Sequence, residues 1–120
     1  MKKILAIIAL AFAATFALAA CAPAAEPVTL SADSMIIDVR TPAEYSEGHL
    51  EGAVNIDVQD PNFGTIISQL PTDAQYFVYC RSGNRSAQAI EIMKASGFTN
   101  LIDGGGVSNA SSMSGVPIVQ

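Results

Sequence analysis

One short stretch of the sequence places a potential nucleophile beside cationic side chains. It starts at Cys80 and continues through Arg81, Ser82, Gly83, Asn84, Arg85 and Ser86. The stretch joins an apolar run to a helical pattern, so the amide groups of a tight loop can converge on one point and bind an anion there. Amide donors, a helix start and two guanidinium groups all favour the thiolate, which is the reactive form of cysteine. The sequence therefore predicts a nucleophilic thiol at Cys80.

The sequence predicts different roles for the other residues of this loop. Gly83 allows the backbone to curl without a side-chain clash, and Asn84 adopts the left-handed conformation more readily than most residues. Arg85 is expected to hold an anion through its guanidinium group. The side chain of Arg81 can do the same, or it can be a solvated surface charge whose amide alone serves the loop.

The elements that must position this loop alternate between strands and helices. β-Branched and aromatic runs predict strands at 35–39, 53–56, 76–79 and 101–102, and apolar spacing predicts helices at 42–47, 63–70 and 86–95. Thr41, Pro42 and Glu44 form a capping box at the start of the first helix. The pattern predicts an α/β domain with a central, mostly parallel sheet and helices on both faces. Ligands of such sheets bind beyond the carboxyl ends of the strands, where Cys80 follows strand 76–79.

The first 20 residues have the layout of a secretory signal peptide. Lys2 and Lys3 precede an uncharged stretch at 4–20 that is apolar except for Thr15. This stretch is shorter and richer in small residues than a membrane-spanning helix, so export followed by cleavage is expected. The tetrapeptide that ends at Cys21 resembles the bacterial lipobox, in which the cysteine is acylated. The alternative is ordinary cleavage that leaves Cys21 as a free thiol.

These features predict three parts: a cleaved leader at 1–20, a lipid-anchored tether at 21–30 and one domain at 31–120. Two or more acyl chains anchor a protein stably, because each buried methylene contributes about 0.8 kcal/mol. We therefore expect an extracytoplasmic protein, lipid-anchored to a membrane of the cell envelope and periplasmic if the cell has two membranes. The chain without its leader keeps four of the six basic residues and all eleven acidic ones, which disfavours nucleic-acid binding. We expect a monomer.

Two separate motifs resemble the rhodanese family. The loop at 80–86 is similar to the active-site loop of that family. A second match joins the Asp-Val-Arg of 38–40 to Glu44-Tyr45 and to the Gly-His-Leu-Glu-Gly-Ala of 48–53, and Gly-Val-Pro at 115–117 is similar to a closing Gly-Leu-Pro. The resemblance covers about residues 31–117 and is nearest to small periplasmic members of the phage-shock type. It implies a rhodanese-like fold of three layers.

The resemblance also implies a reaction. A small anionic donor such as thiosulfate transfers a sulfur atom to Cys80, and the resulting persulfide passes it to cyanide or a thiol. Cys80 is then the catalytic residue, residues 81–86 bind the substrate, and neither a metal nor a cofactor is needed. Two alternatives stay open. The chain could be a non-catalytic, membrane-anchored protein-binding module on the same fold, or an oxyanion-handling phosphatase or arsenate reductase, although those loops are one residue longer.

Several conspicuous residues are better explained by structure than by chemistry. Asp38 and Arg40 are expected to pair and brace the end of their strand, and His49 is expected to have a structural role in its turn. The triple glycine at 104–106 lacks the context of a dinucleotide-binding motif and predicts a turn. Residues 107–114 lack the tryptophan that single-domain members often carry there, which predicts loose packing of this segment.

Overall fold

The strand that ends at Cys80 is the most buried element of the domain. A computed structural model describes residues 26–120, and in it all five residues of this strand, Tyr76–Cys80, are buried. Their side chains alternate between two apolar clusters, because successive residues of a strand point to opposite faces. Tyr76, Val78 and Cys80 belong to one cluster, and Phe77 and Tyr79 belong to the other.

The described residues form six strands and four helices. In order they are β1 (Met35–Asp38), α1 (Pro42–Glu47), β2 (His49–Leu50), β3 (Val54–Asn55), α2 (Phe63–Ile67), β4 (Tyr76–Cys80), α3 (Asn84–Ala95), β5 (Leu101–Gly106), α4 (Val107–Ser114) and β6 (Ile118–Val119). The central sheet has the order β3-β1-β4-β5, and its three strand pairs are parallel. Helices α2 and α3 pack on one face, and α4 packs on the other. The predicted α/β architecture is thereby confirmed.

The first helix begins where the capping pattern predicts. The Thr41 hydroxyl accepts a hydrogen bond from the Glu44 amide, and the Glu44 carboxylate accepts one from the Thr41 amide at 3.0 Å. The second helix ends earlier than predicted, at Ile67 rather than at residue 70. Its continuation tightens into a turn in which the Leu70 amide bonds to the Ile67 carbonyl, as often happens at helix ends.

The third helix begins two residues before the predicted start. Gly83 takes the left-handed conformation, with φ of +100°, and its carbonyl accepts the first helical hydrogen bond from the Ala87 amide. Asn84 and Arg85 therefore lie in the first turn of α3. Gly83 alone makes the left-handed turn of this loop, and Asn84 is helical.

The glycine run at 104–106 is part of a strand, and the prediction of a turn there is wrong. Strand β5 continues through it with a bulge, since Val78 pairs with Asp103 while Tyr79 pairs with Gly105. The bulge inserts Gly104, and Gly105 takes a positive φ of +67°. A side chain at Gly104 would meet the Phe77 ring at 2.7 Å. The glycines thus serve a close approach of two neighbouring strands.

Residues 107–114, for which loose packing was expected, form helix α4. Ala110 of this helix is fully buried and packs with Leu50, Phe77 and Tyr79. Since Ala110 contacts the sheet closely beside Gly104, small side chains here allow the helix backbone to approach the sheet, and the segment is anchored to the second cluster.

A second, two-stranded sheet was not predicted. Strands β2 and β6 pair antiparallel, with His49 opposite Val119 and Leu50 opposite Ile118. Each is only two residues long, too short for an alternating pattern to show in sequence.

The predicted leader and Cys21 lie outside the described residues. Val28 and Leu30, which fall in the predicted tether, pack against the second cluster, and the Val28 amide donates to the Met113 carbonyl at 2.9 Å. Within residues 26–120, no helix is both long enough and apolar enough to span a bilayer.

Candidate active site

The Cys80 sulfur lies at the carboxyl edge of the parallel sheet, beneath the loop that follows it. Cys80 has no solvent-exposed surface, and in the part of the chain that the structure describes it is a free cysteine. Strand β4 delivers it, and Gly83 turns the chain back so that α3 starts over the sulfur. The site therefore combines a buried sulfur with the amide groups of a helix start.

Hydrogen bonds to this sulfur oppose the effect of its burial. The Gly83 amide donates to Sγ at 2.9 Å, and the Ser86 hydroxyl oxygen lies 3.5 Å from it. Burial raises the pKa of the Cys80 thiol, but the Ser86 hydroxyl and the amides of Ser86, Gly83 and Ser82 together lower it by more. The net pKa lies below the ordinary value, which favours the thiolate.

Ser86 was predicted as a substrate-binding residue, and the structure places it against the sulfur. It is fully buried in the first turns of α3. Its hydroxyl lies 3.0 Å from the Gly83 carbonyl and 2.8 Å from Oδ1 of Asp103. Asp103, in β5, was not singled out from the sequence. The signal available was a carboxylate directly after the predicted strand 101–102, where ligands of parallel sheets bind.

The two arginines of the loop are directed toward Glu44. Arg85 donates from both terminal nitrogens to the Glu44 carboxylate, at 2.7 and 2.8 Å. Arg81 is 73% exposed, and its guanidinium lies 3.9 Å from the same carboxylate. The bidentate bond from Arg85 holds the pKa of Glu44 at about 2, and Glu44 in turn raises the pKa of Arg85.

Sequence reasoning assigned Glu44 to helix capping alone. The same carboxylate caps α1 and neutralises Arg85, which joins α1 to α3 over the loop. The hydrogen bonds of the loop are the main cause that lowers the pKa of Cys80. The charge of Arg85 also favours the thiolate, because the interaction between the two groups is reciprocal. Arg85 is close enough for a Cys80 thiolate to raise its pKa, but Glu44 has the larger effect.

The other predicted site residues surround the sulfur without all facing it. The amide of Ser82 contributes to lowering the pKa of Cys80, while its side chain and that of Asn84 are exposed. Gly83 bonds to the sulfur through its backbone. Ser82, Gly83 and Asn84 thus offer backbone groups or exposed side chains to a ligand.

Asp38 and Arg40 form the predicted pair. Arg40 bonds to Asp38 through Nε at 2.9 Å and through a terminal nitrogen at 2.6 Å, and both side chains are buried. The Asp38 carboxylate also accepts from the Tyr79 hydroxyl at 2.8 Å. His49 stacks on Tyr45 with ring centroids 3.7 Å apart. Neither the Asp38–Arg40 pair nor the His49–Tyr45 stack faces the thiol. Within residues 26–120, no cluster of metal-ligating side chains occurs.

Comparison with known proteins identifies the family of the chain. A profile of the rhodanese-like domain matches residues 25–108. The chain is 33% identical over 73 residues to the thiosulfate sulfurtransferase PspE of Escherichia coli, covering 61% of this chain and 70% of that protein. It is 38% identical over 67 residues to a Mycobacterium tuberculosis protein named "Probable adenylyltransferase/sulfurtransferase MoeZ", covering 56% of this chain. The chain spans only 17% of the length of that relative.

The fold is shared with solved structures. One titled "rhodanese with anions from E. coli" superposes with a TM-score of 0.60 at 30% identity, covering 72% of this chain and 98% of that one. Since the profile covers well over half of the chain and relatives of similar length are named sulfurtransferases, the chain belongs to the rhodanese-like domain family.

Proposed function

We propose that the chain is a sulfurtransferase that carries sulfur on Cys80. In the first step the Cys80 thiolate attacks the outer sulfur of thiosulfate or a similar small anion. An S–S bond forms to Cys80, the S–S bond of the donor breaks, and sulfite leaves with the electron pair. In the second step cyanide or a thiolate attacks the outer sulfur of the persulfide, and Cys80 leaves as thiolate.

The observation that carries this proposal is the set of hydrogen bonds around a buried sulfur. The Gly83 amide at 2.9 Å, with Ser86 beside it, supports an anionic sulfur both before attack and after release. The same donors can stabilise the charge of the persulfide. Arg81 and Arg85 give the loop a local positive charge for a dianionic donor, although Glu44 partly neutralises it.

Two further aspects rest on the sequence alone. We propose that residues 1–20 direct export and that acylated Cys21 anchors the protein to an envelope membrane. A cysteine at this position and an apolar leader support that proposal. The processed protein should then partition with membranes, and Cys21→Ser should release it into the soluble fraction. Equal partitioning of the two forms would contradict the anchor.

Thiocyanate formation from thiosulfate and cyanide tests the reaction. We expect the wild-type protein to produce thiocyanate and Cys80→Ser to produce none, because serine cannot form the persulfide. After thiosulfate treatment, the wild-type mass should increase by one sulfur atom, and dithiothreitol should reverse the increase. Gln88→Ala, whose side chain is exposed on α3 outside the loop, is the control and should retain activity. Equal rates for wild type and Cys80→Ser would refute the proposal.

The same preparation discriminates the alternatives. Turnover of an aryl phosphate that depends on Cys80 would indicate a phosphatase. A thiol that reacts slowly with alkylating agents near neutral pH and acquires no sulfur would indicate a binding module.

A further inference from the structure

The hydroxyl group of Ser86 has one proton and three neighbours that can accept it. They are the Gly83 carbonyl at 3.0 Å, Oδ1 of Asp103 at 2.8 Å and the Cys80 sulfur at 3.5 Å. A hydroxyl donates one hydrogen bond and accepts two. Because Ser86 is fully buried, water cannot replace a missing partner. The direction of this proton must therefore depend on the charge of its neighbours.

Asp103 reaches the hydroxyl because of the register of β5. It pairs with Val78, and residues opposite each other in a sheet point to the same face, here the one that carries Cys80 and α3. Its Oδ1 also accepts from the Gly105 amide at 2.8 Å, across the bulge. Asp103 therefore keeps one donor even when the Ser86 proton turns away.

We propose that Asp103 is a positioning residue that competes with the Cys80 sulfur for the Ser86 proton. When Cys80 is a thiol, it donates to the Ser86 oxygen, and Ser86 donates to Asp103. When Cys80 is a thiolate, Ser86 turns its proton to the sulfur, and Asp103 keeps the Gly105 amide. No covalent bond changes. The role in catalysis rests on the proposed function, because the thiolate is both the attacking and the leaving group there.

The competition for the Ser86 proton should affect the two steps of the proposed reaction in opposite directions. A more stable thiolate leaves faster from the persulfide but attacks the donor less strongly for each ionised molecule. By drawing the proton away, Asp103 keeps the thiolate less stable and more nucleophilic. Its removal should favour release over attack.

The substitutions needed to test this proposal are at Asp103 and Ser86, and they leave the other charged groups near the sulfur unchanged. Arg85 of α3 is paired with Glu44 of α1, and Arg81 of the loop approaches the same carboxylate. Asp57 also acts on Arg85 through its charge. At the end of β1, Asp38 forms a buried ion pair with Arg40. Tyr79, adjacent in β4, bonds to Asp38 in the other cluster.

The test is a double-mutant cycle with Asp103→Asn and Ser86→Ala in the full chain. The pH dependence of iodoacetamide alkylation is followed by mass spectrometry on the peptide that contains Cys80, so Cys21 does not contribute. Asparagine keeps an oxygen for the Gly105 amide but removes the charge. We expect Asp103→Asn to lower the pH midpoint by about one unit, since one unit corresponds to one moderate hydrogen bond to a charge.

In the Ser86→Ala background the midpoint should lie above that of the wild type, and Asp103→Asn should shift it by less than half as much. Ser86→Thr, which restores a hydroxyl, should restore the effect of Asp103→Asn. An equal shift in both backgrounds would show that Asp103 acts through space and would overturn the proposal, as would no shift in either. Because alkylation needs no sulfur donor, a chain that fails to transfer sulfur would still report on this competition.

Discussion

Cys80 has a lowered thiol pKa although it has no exposed surface. Burial by itself disfavours a thiolate, so the acidity depends on donors that face the sulfur inside the fold. The Gly83 amide is fixed by the backbone, whereas the Ser86 hydroxyl can rotate. In the proposed reaction a donor must reach this sulfur, so we expect the loop to open locally before sulfur is transferred.

This closure predicts selectivity by reagent size. Iodoacetamide should modify Cys80 at least about tenfold faster than a bulky maleimide, relative to their rates with a free thiol, if opening for the larger reagent requires about 1.4 kcal/mol more. Rates at the Cys80 peptide, measured by mass spectrometry, test this. In denaturant the difference should disappear. Equal relative rates in the native protein would show that the sulfur is freely accessible.

Glu44 competes with an anionic donor for Arg85. Glu44→Gln keeps the capping box, because glutamine also accepts from the Thr41 amide, but it removes the charge that neutralises the guanidinium. We expect the KM for thiosulfate to decrease about threefold to tenfold while kcat changes less, since one partly exposed ion pair contributes about 1 kcal/mol. Steady-state kinetics measure this. Arg85→Gln should increase the KM, and a decrease would refute the assignment of Arg85 to donor binding.

The ion pair also predicts a pH dependence of stability. The bidentate bond from Arg85 lowers the pKa of Glu44 from its ordinary value of 4.5 to about 2. A carboxyl whose pKa is depressed in the folded state stabilises the protein above its unfolded pKa, and this contribution is lost as the pH falls toward the folded value. The difference in unfolding free energy between wild type and Glu44→Gln should therefore be constant at neutral pH and shrink between pH 4.5 and 2. Urea denaturation at several pH values measures it.

At the scale of elements, the glycines of β5 set how closely the strand approaches its neighbours. A Cβ at Gly106 would lie 2.6 Å from the Arg81 carbonyl oxygen, and one at Gly104 would lie 2.7 Å from the Phe77 ring. The first clash involves the backbone of the active-site loop, and the second involves the core. Gly64 in α2 has no atom within 4 Å of such a Cβ.

Alanine substitutions at these three glycines should therefore affect different properties of the protein, namely activity at Gly106 and stability at Gly104. Gly106→Ala should lower sulfurtransferase activity by at least about tenfold, because a displaced loop misplaces its donors. Gly104→Ala should reduce the free energy of unfolding by about 1–3 kcal/mol, as overpacking does. Gly64→Ala should leave activity unchanged and be slightly stabilising. Thermal melts and thiocyanate assays on all three separate these effects. An active Gly106→Ala protein would show that the loop tolerates the shift.

The elements that could be predicted from the sequence are those with local signals. The run ending at Tyr79 and the capping box at Thr41 have patterns within a few residues, and both elements form as expected. The site residues on the loop could be named because they follow one another. Asp103 could not be assigned, because its contact with Ser86 depends on strand order and on a bulge. Glycine is rare in strands, so the run at 104–106 predicts a turn, whereas in the structure these residues allow close packing beside β4.

At the scale of the whole molecule, one buried polar network joins the two sheets. Asp38 at the end of β1 bonds to Arg40 and to the Tyr79 hydroxyl. Arg40 donates to the Gly48 carbonyl at 2.6 Å, and the Tyr79 hydroxyl accepts from the Leu50 amide at 3.0 Å. Gly48 immediately precedes β2, so this network connects the central sheet to the β2-β6 pair.

Breaking this network should lower the free energy of unfolding far more than breaking an ion pair on the surface. Asp38→Asn leaves the Arg40 guanidinium without its counter-charge at a position where only 6% of its side chain is exposed. We expect a loss of about 3–5 kcal/mol of unfolding free energy, as is typical when one partner of a buried ion pair is removed. Chemical denaturation measures this loss. Glu91→Gln, which breaks the exposed pair with Lys94, is the matched control and should cause no measurable change. If Asp38→Asn unfolds no more readily than Glu91→Gln, the two sheets are held together by apolar packing rather than by this network.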